Sequence, residues 1–206
     1  MEIRDWQAFY DSLTISRGYG VPVPKPTSAQ LDAFETLTGL RLPRSYREMI
    51  LVFGPGEFSV SLSIAAPGYE YAGGADLLST SRSYGWDPKE IARSNVSEEQ
   101  KAHLSRLCYF GLENGRQWLG WDPMDIRNTE AFEYGIYRVE ALGFGTELVA
   151  TSFRQLVEVS CERIFAPDPT WDEEELGQQR TFCPAHWVPE ANQSQAEPDA
   201  TPDPAE

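Results

Sequence analysis

LDAFETLTGLRLPRSYREMILVFGPGEFSVSLSI, residues Leu31 to Ile64, changes its apolar period once, and that change decides the fold. Thr27 with Gln30 forms a capping-box pattern just ahead of it. Leu31, Phe34 and Leu37 follow at helical spacing, and Gly39 supplies a left-handed stop. Pro43 sits where a second helix should begin. Tyr46, Met49, Ile50 and Phe53 then fall at i, i+3, i+4 and i+7, one apolar face of that helix. Gly54-Pro55-Gly56 ends it, because proline cannot continue a helix and glycine allows the reversal. Beyond the corner, Phe58, Val60, Leu62 and Ile64 alternate with Glu57, Ser59, Ser61 and Ser63, which predicts a single strand buried on one face.

Outward from this unit, Ile3 to Leu13 reads as a short helix with Trp6, Phe9, Tyr10 and Leu13 along one side. GYGVPVPKP, residues 18–26, is a stiff proline-rich connector. Residues 65–86 lack sustained periodicity and read as a long loop with a short strand near Ala75–Leu78, a length often tied to function. Asp87-Pro88-Lys89-Glu90 starts one helix, and Ser97 with Gln100 starts another that runs to about Arg106. Asn114-Gly115 lies between two apolar stretches, residues 107–112 and 117–121, which is a strong hairpin signal. Residues 134–141 and 147–150 read as strands. Ser152 with Gln155 caps a closing helix whose Phe153, Leu156, Val157 and Cys161 form the buried face. After Phe165 periodicity is lost, and residues from about Ala191 have no apolar side chain larger than alanine, so disorder is expected there.

Four segments, in this order, carry a resemblance. They are GLRLPRSYRE with FGPGEF, then CYFGLENGRQWLGWDP, then YGIYRV, then SFRQLVE. Together they resemble the SUKH superfamily, which contains the yeast cell-wall-assembly regulator and many bacterial immunity proteins that neutralise polymorphic toxins. The likeness covers about Pro26 to Arg163. The Gly-Pro-Gly corner departs from the more usual asparagine-and-glycine version. The expected fold is a single α+β domain, an antiparallel sheet of about five or six strands with helices packed mainly on one face. Residues 1–25 would be an N-terminal helical extension and connector, 26–165 the domain, and 166–206 an acidic C-terminal extension.

Composition narrows the function. With 206 residues, 41% of them apolar, the chain can bury a sizeable core. Of the net charge of −15, residues 164–206 hold −9, ten acids against Arg180 alone, which leaves −6 for residues 1–163. Such a balance disfavours direct nucleic-acid binding, since phosphate contacts need clustered Lys and Arg. No run approaches the roughly 18 apolar residues of a membrane span, and the N-terminus shows no secretory core. Cys108, Cys161 and Cys183 are too few for a disulfide framework. A cytoplasmic protein is expected.

No catalytic constellation stands out. His103 reads as a solvated helix residue beside Leu104. Cys183 and His186 have the spacing of half a zinc site without a second pair. Asp122 and Asp125 could be paired carboxylates, though Asp122 before Pro123 is also ordinary turn chemistry. Gly143-Phe144-Gly145 lacks the third glycine of a phosphate cradle. Trp-Asp at 86, 121 and 171 is not evenly spaced, so it marks no repeat. Neither an enzyme nor a cofactor is expected, and no metal site.

The resemblance instead implies a protein-binding domain. An immunity protein that occludes a cognate toxin leads, and a regulatory scaffold in cell-wall or stress signalling is the alternative. Trp86, Asp87, Trp121, Asp122 and Asp125 are the candidate partner-binding residues, with tryptophans as anchors and carboxylates steering a basic partner such as a nuclease toxin. The competing reading buries the tryptophans against the sheet and spends the aspartates on turns.

Overall fold

A computed structural model describes residues 1–16, 21–67, 88–140, 143–166 and 180–187. The unit around Leu31–Ile64 forms largely as its pattern dictates. Helix α2 (Ser28–Thr38) opens on the Thr27–Gln30 capping box and stops at Gly39, φ 70°. Helix α3 (Arg44–Phe53) buries Tyr46, Met49, Ile50 and Phe53. Leu37 departs from expectation, standing 79% exposed on the outer side of α2.

Beyond the glycine corner the expected single strand is a hairpin. Strand β3 (Gly56–Phe58) turns through Ser59 and Val60, both at positive φ (45° and 59°), into β4 (Leu62–Ile64). Phe58 pairs across the turn with Leu62, so both still face the core. The period-two pattern therefore survives the reversal and hides it. Val60, which the pattern places inside, is instead 82% exposed at the tip.

Four more strands extend this hairpin as a meander. They are β5 (Cys108–Glu113), β6 (Gln117–Asn128), β7 (Glu133–Glu140) and β8 (Thr146–Ala150). Asn114 and Gly115 turn β5 into β6 with φ 50° and 64°, the double positive φ of a type I′ turn. The other flank is built from the chain's two outlying segments. Strand β9 (Thr181–Pro184) lies antiparallel to β3, and β1 (Thr14–Ile15) lies parallel to β9. The result is a mixed eight-stranded sheet, β1-β9-β3-β4-β5-β6-β7-β8, larger than the antiparallel five or six strands expected. A separate ribbon pairs β2 (Val21–Pro22) with β10 (His186–Trp187).

The main core lies on one face. Helix α1 (Trp6–Asp11), α3 and α6 (Phe153–Ile164) press Trp6, Phe9, Tyr46, Phe53 and Phe153 onto Phe58, Phe110, Trp121 and Phe182. The opposite face is covered too. Helices α4 (Pro88–Arg93) and α5 (Glu98–Arg106) close a smaller core of Ile91, Leu104, Leu107, Tyr109 and Val139. The helices are thus divided between both faces, unevenly.

Two buried carboxylates tie the main layers together. Glu133 accepts from Ser45 N and Oγ (2.8 Å each) and from Phe153 N (3.2 Å), so one side chain serves the first turns of α3 and α6. Pro43 offers α3 no side-chain cap of its own, and Glu133 fills that need. Glu113, at the end of β5, is held by Arg138, Arg163 and Ser160. No helix among the described residues is long and apolar enough to cross a membrane. Asp87, most of the long loop and the tail from Ala191 lie outside the described residues.

Candidate partner-binding groove

Alternation along β6 separates the neighbours Trp121 and Asp122. Trp121 points into the main core, 0% exposed, and stacks on Phe110 with ring centroids 4.9 Å apart. It cannot anchor a partner, and its candidacy is corrected accordingly. Asp122 points to the opposite face, toward α5. There Gln100, His103 and Arg106 recur every third residue along one side of the helix, while Leu104 holds that helix to the sheet.

Asp122 is only 3% exposed. Arg106 grips it with Nε to Oδ1 at 2.9 Å and Nη2 to Oδ2 at 2.7 Å, and Met124 N donates to Oδ1 at 2.9 Å. His103 Nε2 stands 3.4 Å from Oδ2. Burial alone would raise the Asp122 pKa, but the Arg106 and Met124 hydrogen bonds and the nearby positive charge outweigh it and hold the carboxyl low. Burial pushes His103 below its ordinary value, against the pull of Asp122. The imidazole packs edge-on to Tyr137 at 4.4 Å. His103 is therefore half-buried in a polar cluster, not the solvated helix residue expected.

Asp125 continues the row. Its Oδ2 accepts from Tyr137 Oη (2.9 Å) and Arg127 Nη2 (2.7 Å). The carboxylate lies directly over Gly135, where a Cβ would collide with it. Burial first, then the Asp125 contact, raises the Tyr137 pKa. An open groove of about 740 Å³ runs along this face, lined by His103, Arg106, Asp122 and Tyr137 with Ala102 and Thr146 on its rims.

Each aspartate is neutralised by its own arginine, Asp122 by Arg106 and Asp125 by Arg127. Among the described residues no group of three His, Cys, Asp or Glu side chains is placed to hold a metal ion. Cys183 lies half-buried in β9 of the main sheet, while His186 belongs to the separate ribbon.

Of the five sequence candidates, Asp122 lines this groove, Asp125 lies beside it bonded to Tyr137, and Trp121 is in the main core. Trp86 and Asp87 lie outside the described residues. Sequence reasoning missed Arg106, Tyr137 and Arg127, and set His103 aside as a solvated helix residue. The three-residue spacing of His103 and Arg106 was the available signal, but only the fold shows that Asp122 faces it.

A family model described as the SMI1 / KNR4 family (SUKH-1) matches residues 25–159. No curated protein and no solved structure matches the chain.

Proposed function

The chain belongs to the SMI1 / KNR4 family (SUKH-1), and from that premise we propose that it is a non-enzymatic protein-binding domain, an immunity protein that occludes a cognate polymorphic toxin. The observation that carries the binding site is the groove between α5 and the outer face of β6 and β7. Its lining includes the internally formed Arg106–Asp122 ion pair and the edge-to-face rings of His103 and Tyr137. A pre-organised surface of this kind loses little side-chain entropy on association. The protein would act in the cytoplasm, one copy per toxin, with no cofactor.

Ala102 and Thr146 rim the groove, and Ala102 is solvent-exposed. Ala102→Arg fills the groove without touching either core. Capture of partners from the native host, followed by co-expression of each partner with this chain, tests the reading. The expected result is a captured toxin whose killing is relieved by the parent chain and not by Ala102→Arg. Capture of partners that are not toxic would replace the immunity reading with a scaffold role in cell-wall or stress signalling. Equal protection by Ala102→Arg would remove the groove from the interface.

A further inference from the structure

Strand β9 is held in the sheet as a bound peptide is held. Its backbone is used on both sides. Thr14 N donates to Arg180 O (2.9 Å) and Ser16 N to Phe182 O (2.9 Å) from the β1 side. From the β3 side, Ser59 N donates to Thr181 O (3.1 Å), and Ala185 N donates to Pro55 O (2.9 Å). Val23 N adds a bond to Ala185 O (2.8 Å). Along β9 itself one side chain, Phe182, is fully buried, with Phe53, Phe58 and Tyr10 around its ring at 4.9, 5.0 and 6.4 Å. Thr181, Cys183 and Pro184 are only half-buried. Main-chain pairing with a single deep aromatic anchor is the pattern of an extended segment inserted as a strand into a sheet.

The receiving cleft is shaped for it. A Cβ on Gly56 would lie 2.5 Å from both the Cys183 carbonyl oxygen and the Phe182 ring, so only glycine admits the strand this closely. Residues 167–179 number thirteen and could span about 45 Å if extended. The ends they join are already in contact, with the Arg180 guanidinium 5.6 Å from the Phe165 ring.

We propose that the cleft between β1 and β3 is a peptide-acceptor site for an extended segment with an aromatic anchor, and that residues 180–187 are its ligand in cis. The same segment of a second copy of the chain is the occupant that replaces it. A short tether keeps the local concentration of the cis segment in the millimolar range, so exchange between copies is a high-concentration event. The proposal stands apart from the groove on α5, at the other end of the sheet.

The test uses the full chain with a protease site placed within residues 170–176, cleaved after folding. A fluorescent peptide of residues 180–187 is then added. Expected is a nicked protein that stays folded at micromolar concentration and takes up the labelled peptide in exchange for its own segment. The same peptide carrying Phe182→Ala should be captured roughly tenfold more weakly or worse. Failure of the parent peptide to exchange over days would make β9 a fixed structural strand and overturn the proposal. So would unfolding on cleavage, or capture indifferent to Phe182→Ala.

Discussion

Arg106 and Asp122 meet as a forked ion pair across the junction of α5 and β6, and the aspartate of that pair is nearly sealed from water. Arg106→Ala would leave burial as the main influence on a carboxyl that the arginine now holds low. Acid unfolding of Arg106→Ala should therefore begin at higher pH than in the parent. Loss of the charged hydrogen bonds should also cost about 1.5–3 kcal/mol at neutral pH. Urea melts at pH 7 and at stepped lower pH measure both.

His103 and Asp122 titrate with the same sign. Each has a folded pKa below its ordinary value, 6.5 for the histidine and 3.8 for the aspartate. Each therefore contributes stability that is present above that value and lost as pH falls through the folded pKa. Stability should decline on acidification below about 6.5 and again below about 3.8. His103→Gln should flatten the first decline and leave the second, as read from melting temperature against pH.

Phe53 sits 1% exposed among Trp6, Phe9, Tyr10, Phe58 and Phe182. Phe53→Ala should cost about 3–5 kcal/mol. Denaturant unfolding checks it, and a loss under about 1 kcal/mol would mean that the cluster collapses into the space.

Glu133 serves two helices at once. Glu133→Ala orphans the amides of Ser45 and Phe153, each at about 1–3 kcal/mol. Glu133→Gln keeps the shape and one acceptor, so it should lose less. Equal losses for the two variants would assign the whole effect to charge.

Val60 is a β-branched residue at φ 59°, exposed at the tip of the β3–β4 hairpin. At 82% exposed it gains little burial to repay that conformation, which costs of order 1–3 kcal/mol. Val60→Gly or Val60→Asn should raise stability by about 1 kcal/mol, a gain that thermal melts would register.

What the sequence disclosed were the features that one stretch of chain decides for itself. The capping box at Thr27, the N-cap at Ser152, the face of α3 and the Asn114-Gly115 turn all depend on neighbours within a few residues. The β3–β4 turn escaped notice because Phe58, Leu62 and Ile64 keep their alternation across it. Strand β9 escaped because four residues ending in a proline have no period of their own, and distant β1 and β3 define them. Of the groove, Asp122 was legible, with Asp125 beside it. The rest required knowing that α5 crosses the outer face, which rests on Leu104 meeting Tyr109 and Val139.

Thr14 pairs with Thr181, so one ladder joins positions 167 residues apart. At about 5–20 residues per second, a ribosome needs on the order of ten to thirty seconds between making the two. From the synthesis of β3 until β9 follows, the later part of that interval, the emerging chain carries β3 with one edge open and Phe58 and Phe53 without Phe182 against them. Open strand edges beside bare aromatics are the surfaces by which partly made chains aggregate and which chaperones guard. The nascent protein should thus depend on such guardians longest at its N-terminal half, and arrested chains ending before Arg180 should be cut there by protease.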